Sequence, residues 1–369
     1  MCEPDPRPVV RPAAGRRLAR MLRGEHPDLL PEWLTAVAAR GLRLPPQLLP
    51  TLLDRARRDR SADGHLTRLV AEAGGPRVRW LAGLNPDWEV VLAETLTGDE
   101  AWRLGSASQR RAYLTALHAR DPAAARDLIT GSWVAAGPEE RIMFVNAMAD
   151  GLSLADEPLL EAALDDRAVE VRSGAASLLH RMPGSALGQR MAERALRCVG
   201  MEYGPRGPRL VITPPTECDA SMRRDGIVPG PEALLAQPAG RVRLLFEMVT
   251  RTPLRTWTDA FGLTAAQLVA LQQVERVPVA FVGWARAAVA QRDPEWTAAL
   301  IGHALTGDWP QAHTETLRRL ARQADPALGA PGTLPEPRPD ALPVIGAVLS
   351  VLRFRYDMMK ELSDDGHVG

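Results

Sequence analysis

Three triplets, Gln109-Arg110-Arg111, Glu139-Glu140-Arg141 and Glu170-Val171-Arg172, recur about thirty residues apart along the chain. Each opens an apolar run with helical spacing: Tyr113-Leu114-Leu117, Ile142-Phe144-Val145-Met148 and Ala175-Ala176-Leu178-Leu179. One such helix cannot bury its apolar face alone, and a fixed period of ~20–50 residues is how a sequence specifies units that stack on their neighbours. The intervening partner helices begin at Asp121-Pro122 and Asp156-Glu157-Pro158. A carboxylate at such a start accepts amide hydrogens that the first turn leaves unpaired, and proline there has no amide to lose. The fold class expected is all-α, an α-solenoid of stacked antiparallel helix pairs with a small β-hairpin insertion.

At 369 residues the chain is longer than one hydrophobic core comfortably serves, which suits several units in series. Residues 1–14 are proline-rich without periodicity and are expected to form a disordered arm. Helical repeats are expected over 15–198 and a further helical region over 232–369, with a proline-rich connector at 327–343. Between them, 199–231 is rich in Gly, Pro and Arg, and two short apolar runs flank the turn Gly204-Pro205-Arg206-Gly207-Pro208, which predicts a β-hairpin. A second echo joins Asn85-Pro86-Asp87-Trp88, running on to Leu96-Thr97-Gly98-Asp99, with Asp293-Pro294-Glu295-Trp296, running on to Leu305-Thr306-Gly307-Asp308. Both are expected to be capped helices of about ten to thirteen residues closed by glycine.

Lys+Arg 45 balances Asp+Glu 45, so the global attraction behind non-specific binding to nucleic acid or anionic membranes is absent. Lys360 is the lone lysine, so arginine clusters carry compositional bias and are read first as solvated faces. Cys2, Cys198 and Cys218 form no CxxC pair and no disulfide framework. Together with the lack of an apolar leader or a run of ~20 apolar residues, this leads us to expect a cytoplasmic, soluble protein. The apolar run at 342–352 is expected to be a buried helix.

Residues 156–183 closely resemble a HEAT repeat. Leu159-Leu160, Ala163 and Leu164 fall in its first helix, Asp166 in the turn and Val171-Arg172 in the second helix. The resemblance implies a structural ladder in which Asp166 and Arg172 take part in buried hydrogen bonds between neighbouring repeats. Leu164-Asp165-Asp166-Arg167, Ser185-Ala186-Leu187, Arg79-Trp80-Leu81, Thr213-Pro214-Pro215 and Arg224-Asp225-Gly226-Ile227 look like one bacterial family of unknown function. Such proteins are typically encoded near MoxR-type AAA+ ATPases, von Willebrand factor A proteins and SWIM zinc-finger proteins, which implies a chaperone-like or assembly role.

No phosphate-binding glycine loop, HExxH or GxSxG stands in the sequence, so no catalytic residue, metal ligand or cofactor is assigned. His303 and His313 lack a neighbouring third ligand. Glu157, Glu161 and Asp165 share one helix face, read as a surface screened by arginines. The candidate partner-binding residues are Tyr203, Arg206 and Arg209 at the hairpin turn. The functional expectation is a non-enzymatic scaffold or adaptor for a protein partner, possible partners being the AAA+ ATPase and von Willebrand factor A proteins. The alternative is a HEAT-like nucleic-acid-binding protein such as an alkylpurine DNA glycosylase, which would use its tryptophans on a basic face.

Overall fold

The computed structural model describes residues 2–59, 65–91, 99–205, 207–228, 236–275, 278–307, 314–337 and 342–363. It is mostly helical, with one two-stranded antiparallel sheet among the described residues. The chain divides into two compact units, one comprising residues 1–116 and 353–369, the other 117–352. Among the described residues, no helix is long and apolar enough to cross a membrane.

The first unit holds α1 (Pro12–Leu22), α2 (Leu30–Ala39), α3 (Leu49–Arg58), α4 (His65–Ala82), α5 (Asp99–Leu104) and most of α6 (Ala107–Arg120). Its core follows the apolar spacing of the sequence: Leu18 and Met21 of α1 meet Trp33, Leu34 and Val37 of α2 and Leu52 and Leu53 of α3. The helix α4 is two helices joined at a kink. Gly75 adopts φ 58°, which a side chain disfavours, and Pro76 follows it.

The described part of the segment expected as a disordered arm, residues 2–14, is tied to the body instead. The Arg43 amide donates to the Pro8 carbonyl at 2.9 Å, the Val10 amide donates to the Arg43 carbonyl at 3.0 Å, and Val10 is buried. The helix α1 already starts at Pro12. Proline content suggested disorder, but Pro at a first turn serves a helix equally well.

The second unit contains α7 (Pro122–Trp133), α8 (Pro138–Ala147), α9 (Glu157–Ala163), α10 (Val169–His180) and α11 (Ala186–Leu196). There follow β1 (Val199–Gly204), β2 (Gly207–Ile212), α12 (Ala220–Arg224), α13 (Pro238–Arg251), α14 (Arg255–Phe261) and α15 (Ala265–Glu275). The unit ends with α16 (Pro278–Gln291), α17 (Pro294–Thr306), α18 (Thr314–Gln323) and the opening turns of α19 (Leu342–Ser363). Helices pack mainly on near neighbours in the chain: α10 on α8, α9 and α11, α11 on α13, and α16 on α13, α17 and α18.

Cap chemistry decides several boundaries. Asp121 accepts from the Ala124 amide and Asp293 from the Trp296 amide, as the sequence predicts. Asp156 does not cap α9; a Ser153 capping box opens the preceding 3-10 turn, and Asp156 turns its carboxylate inward. The echo between chain ends holds only in part. Asp293 begins a full helix ending at Gly307, whereas Pro86–Val91 is a 3-10 turn, and residues 92–98 and 308 lie outside the described residues.

Candidate functional site

The hairpin begins where α11 ends. Val199 pairs with Ile212, Met201 with Leu210, Glu202 with Arg209, Tyr203 with Pro208 and Gly204 with Gly207. The Thr213 amide donates to the Cys198 carbonyl at 2.7 Å and extends the ladder toward the body. Gly207 at φ 99° supplies the backbone conformation that the return of the chain needs. Val199 and Leu210 are buried at the base, where β1 meets α11 and β2 meets α15. Burial falls away toward the tip, and Tyr203 is 71% exposed.

Tyr203 and Arg209 thus lie on the exposed part of the hairpin. Arg209, however, forms an ion pair with its cross-strand neighbour Glu202. Its charge is therefore partly spent within the hairpin, although so exposed a pair contributes little to stability. Arg206 lies outside the described residues.

After the hairpin, the described residues 213–228 return to the helical body. Asp219 caps α12 through the Met222 amide at 2.7 Å, and Gly226 at φ 81° closes it. Cys218, Met222 and Ile227 are buried. The Asp225 carboxylate, almost fully buried, receives Arg190 at 2.7 Å and 2.9 Å and Arg194 at 2.7 Å. Burial alone would push the Asp225 carboxyl up, but the two guanidiniums overcome it and hold it below the usual carboxylate range. Arg224 reaches back to α9 and the turn after it, contacting Asp165 at 2.8 Å and Glu161 at 3.3 Å. The Asp219 and Gly226 signals that bracket α12 stand in the sequence, but the Gly and Pro content around them masked the helix.

That network includes the acidic line Glu157, Glu161 and Asp165. Glu161 is shared by Arg190 and Arg224, Asp165 is held low by Arg224, and Glu157 accepts from the Ala186 amide. Glu161 and Asp165 are thus paired with arginines from α11 and α12. Among the described residues, no group of three or more His, Cys, Asp or Glu is placed to hold a metal ion. His313 lies outside the described residues, and the His303 ring packs on Phe281 at 5.1 Å.

The structure places Asp166 and Arg172 together but with a different bond pattern. Arg172 donates to the backbone carbonyls of Asp166 at 2.8 Å and Arg167 at 3.0 Å. The Asp166 carboxylate takes the Ala168 amide at 2.8 Å and Arg141 of α8 at 3.0 Å. Arg141 is the arginine of the preceding triplet, so the carboxylate pairs backward across consecutive helix pairs. A second buried node lies nearby: Asp156 receives Arg126 at 2.8 Å, His118 at 3.1 Å and the Ser153 amide at 2.8 Å. Burial opposes the Asp156 charge, yet these donors keep its carboxyl below the usual range. The His118 Nδ1 lies 2.8 Å from the Asp150 carbonyl.

Of the tryptophans considered for stacking, Trp257, Trp284 and Trp296 are interior, whereas Trp80 is exposed. The interior three form a run of edge-to-face contacts at 5.9 Å and 5.1 Å. Helical packing and a polar network that knits one helix pair to the next therefore define the class: a mostly α-helical protein carrying a single anchored hairpin. The chain belongs to a family of unknown function (DUF5691), whose model matches residues 1–330. No curated protein and no solved structure matches it.

Proposed function

We propose that this protein is a non-enzymatic scaffold or adaptor, built as a HEAT-like α-solenoid, that holds a protein partner and uses the hairpin tip as part of the contact. The observation that carries the reading is the contrast within one segment. Val199 and Leu210 root the hairpin, while the large apolar ring of Tyr203 stays 71% exposed at its outer end. Aromatic side chains held on a rigid support are the usual anchors of protein interfaces. The backward pairing of Arg141 with Asp166 supports the HEAT-like part, since it links consecutive helix pairs through the carboxylate of the turn. The family resemblance described above suggests the MoxR-type AAA+ ATPase and the von Willebrand factor A protein as partners. We place the protein in the cytoplasm with them.

The test is titration calorimetry with each purified partner. Wild-type protein should bind at least one of them, and Tyr203→Ala with Arg209→Ala should weaken that binding at least tenfold while the melting temperature stays within about 2 °C, in line with the small stability effect of exposed positions. Equal affinity of the double variant would remove the hairpin from the contact. Absence of binding by wild type to either partner would sink the adaptor reading.

A further inference from the structure

The register of the hairpin decides which backbone groups of each strand point away from the other. The Thr213 amide bonded to the Cys198 carbonyl makes that pair a hydrogen-bonded one, so by alternation the pairs at Gly200, Glu202 and Gly204 are hydrogen-bonded as well. The amides and carbonyls of Met201 and Tyr203 therefore face outward along the edge of β1. Among the described residues, nothing outside the hairpin bonds to them. On β2 the outward position opposite Tyr203 is Pro208, which has no amide to offer a further strand. Further along, β2 meets α15. The edge of β1, rather than that of β2, is the one equipped to pair again.

The side chains say what an added strand must carry. Alternation puts Val199, Met201 and Tyr203 with Pro208, Leu210 and Ile212 on one face, and all six are apolar. That face runs from a base where Val199 and Leu210 are buried, through the half-buried Met201, to the exposed Tyr203. The opposite face of β1 carries Glu202 between Gly200 and Gly204, and a Cβ added at either glycine would meet nothing within 4 Å. Glu202 gives Oε2 to Arg209 on β2, while its Oε1 has no hydrogen-bond partner among the described residues. We propose that the outer edge of β1 is a strand-addition site for an extended peptide segment of a partner protein, bound antiparallel, with apolar residues opposite Met201 and Tyr203 and a Lys or Arg between them opposite Glu202. Strand addition here presupposes the hairpin as the contact and specifies the form and sequence of what it holds. An extended backbone presents donors and acceptors at the two-residue spacing of this edge, and opposite charges on neighbouring strands add selectivity. A second copy of β1 lacks the cation, because antiparallel pairing of two such edges sets Glu202 opposite its own equivalent or a glycine.

The probe is an acetylated, amidated heptapeptide, Ser-Thr-Val-Lys-Val-Thr-Ser, titrated calorimetrically against the full-length chain. Wild type should bind it, and replacing the peptide lysine by glutamate should weaken binding about tenfold or more. Met201→Pro deletes an outward amide without removing a cross-strand bond and should weaken binding about as much, whereas Met201→Ala loses the same side chain, keeps the amide and should bind within about threefold of wild type. Should proline disturb the hairpin, N-methylated peptides put the same question to the wild-type protein. A methyl on either valine, whose amide faces β1, should abolish binding, and a methyl on the lysine, whose amide faces away, should leave it. No binding by wild type, undiminished binding by Met201→Pro, or any other methylation pattern overturns strand addition. So does a concentration-dependent dimer of wild type that Met201→Pro abolishes, which assigns the edge to a second copy. The adaptor reading fails separately: if Tyr203→Ala with Arg209→Ala weakens binding of the ATPase or the von Willebrand factor A protein while Met201→Pro does not, the hairpin contact stands and strand addition falls.

Discussion

His180, at the end of α10, carries a titration that this fold converts into pH-dependent stability. Its Nδ1 is buried without a hydrogen-bond partner. Burial, and then the charge of Arg251, depress its pKa from 6.5 to about 4, against a smaller opposing hydrogen bond with the Arg251 backbone. The folded protein therefore keeps a neutral ring where the unfolded chain would bind a proton. Stability from this group is complete above pH 6.5 and is lost as pH falls from 6.5 toward about 4, below which the loss levels off. At 1.36 kcal/mol per pKa unit, the shift corresponds to at most about 3 kcal/mol, approached at a slope of about 1.4 kcal/mol per pH unit. The carboxyls of Asp156 and Asp225 are lowered from 3.8, so their contribution is lost only below that value and does not overlap. Urea unfolding of wild type and His180→Gln at pH 7.5, 6.5, 5.5 and 4.5 isolates the effect, since glutamine retains a donor without titrating. The variant should lose most of the decline between pH 6.5 and 4.5. If both proteins follow the same curve, the ring is not held neutral by its surroundings and the argument fails.

The ladder gives a paired test. Arg141→Ala removes the guanidinium from the nearly buried Asp166 carboxylate and should cost roughly 1–3 kcal/mol, whereas Arg172→Ala gives up two carbonyl contacts and should cost about 1 kcal/mol. Denaturant midpoints in the reverse order would contradict the geometry. Glycine offers a second contrast: at Gly226, φ 81°, an added Cβ would stand 2.6 Å from the Ala176 Cβ, while at Gly262, φ 65°, nothing lies within 4 Å. Gly262→Ala should cost about 1 kcal/mol from backbone conformation alone, and Gly226→Ala about 2–4 kcal/mol because packing strain adds to it; equal losses would show that α10 yields freely.

Much of the fold was legible because apolar spacing and cap chemistry are local. The break between α1 and α2, the Asp121 and Asp293 caps, the hairpin and the presence of a helix from Leu342 all follow from residues within a few positions of one another, although that helix buries only one face. What escaped depends on partners far along the chain. Asp156 reads locally as a cap, but its donors Arg126 and His118 lie 30 and 38 residues away, and they draw the carboxylate into the interior. Asp166 reads locally as the partner of Arg172, six residues on, yet the helix turn delivers that guanidinium to carbonyls and leaves the carboxylate to Arg141.

Arginine shows why composition misled. A chain with a single lysine invites the view that its arginines are interchangeable surface charges, and exposed ones such as Arg209 fit that view. Several others do work that a lysine could not copy. Arg17 and Arg355 hold carboxylates with two parallel bonds while nearly buried, and Arg190 spans Asp225 and Glu161 from one planar group. A guanidinium has five donors in a fixed fork, so one side chain can satisfy acceptors on two elements where an ammonium would leave some unmet. The arginines that matter are therefore distinguished by what their fork meets in space. The partners of Arg17 and Arg355 lie 344 and 323 residues away along the chain, a separation over which no local pattern could have linked them.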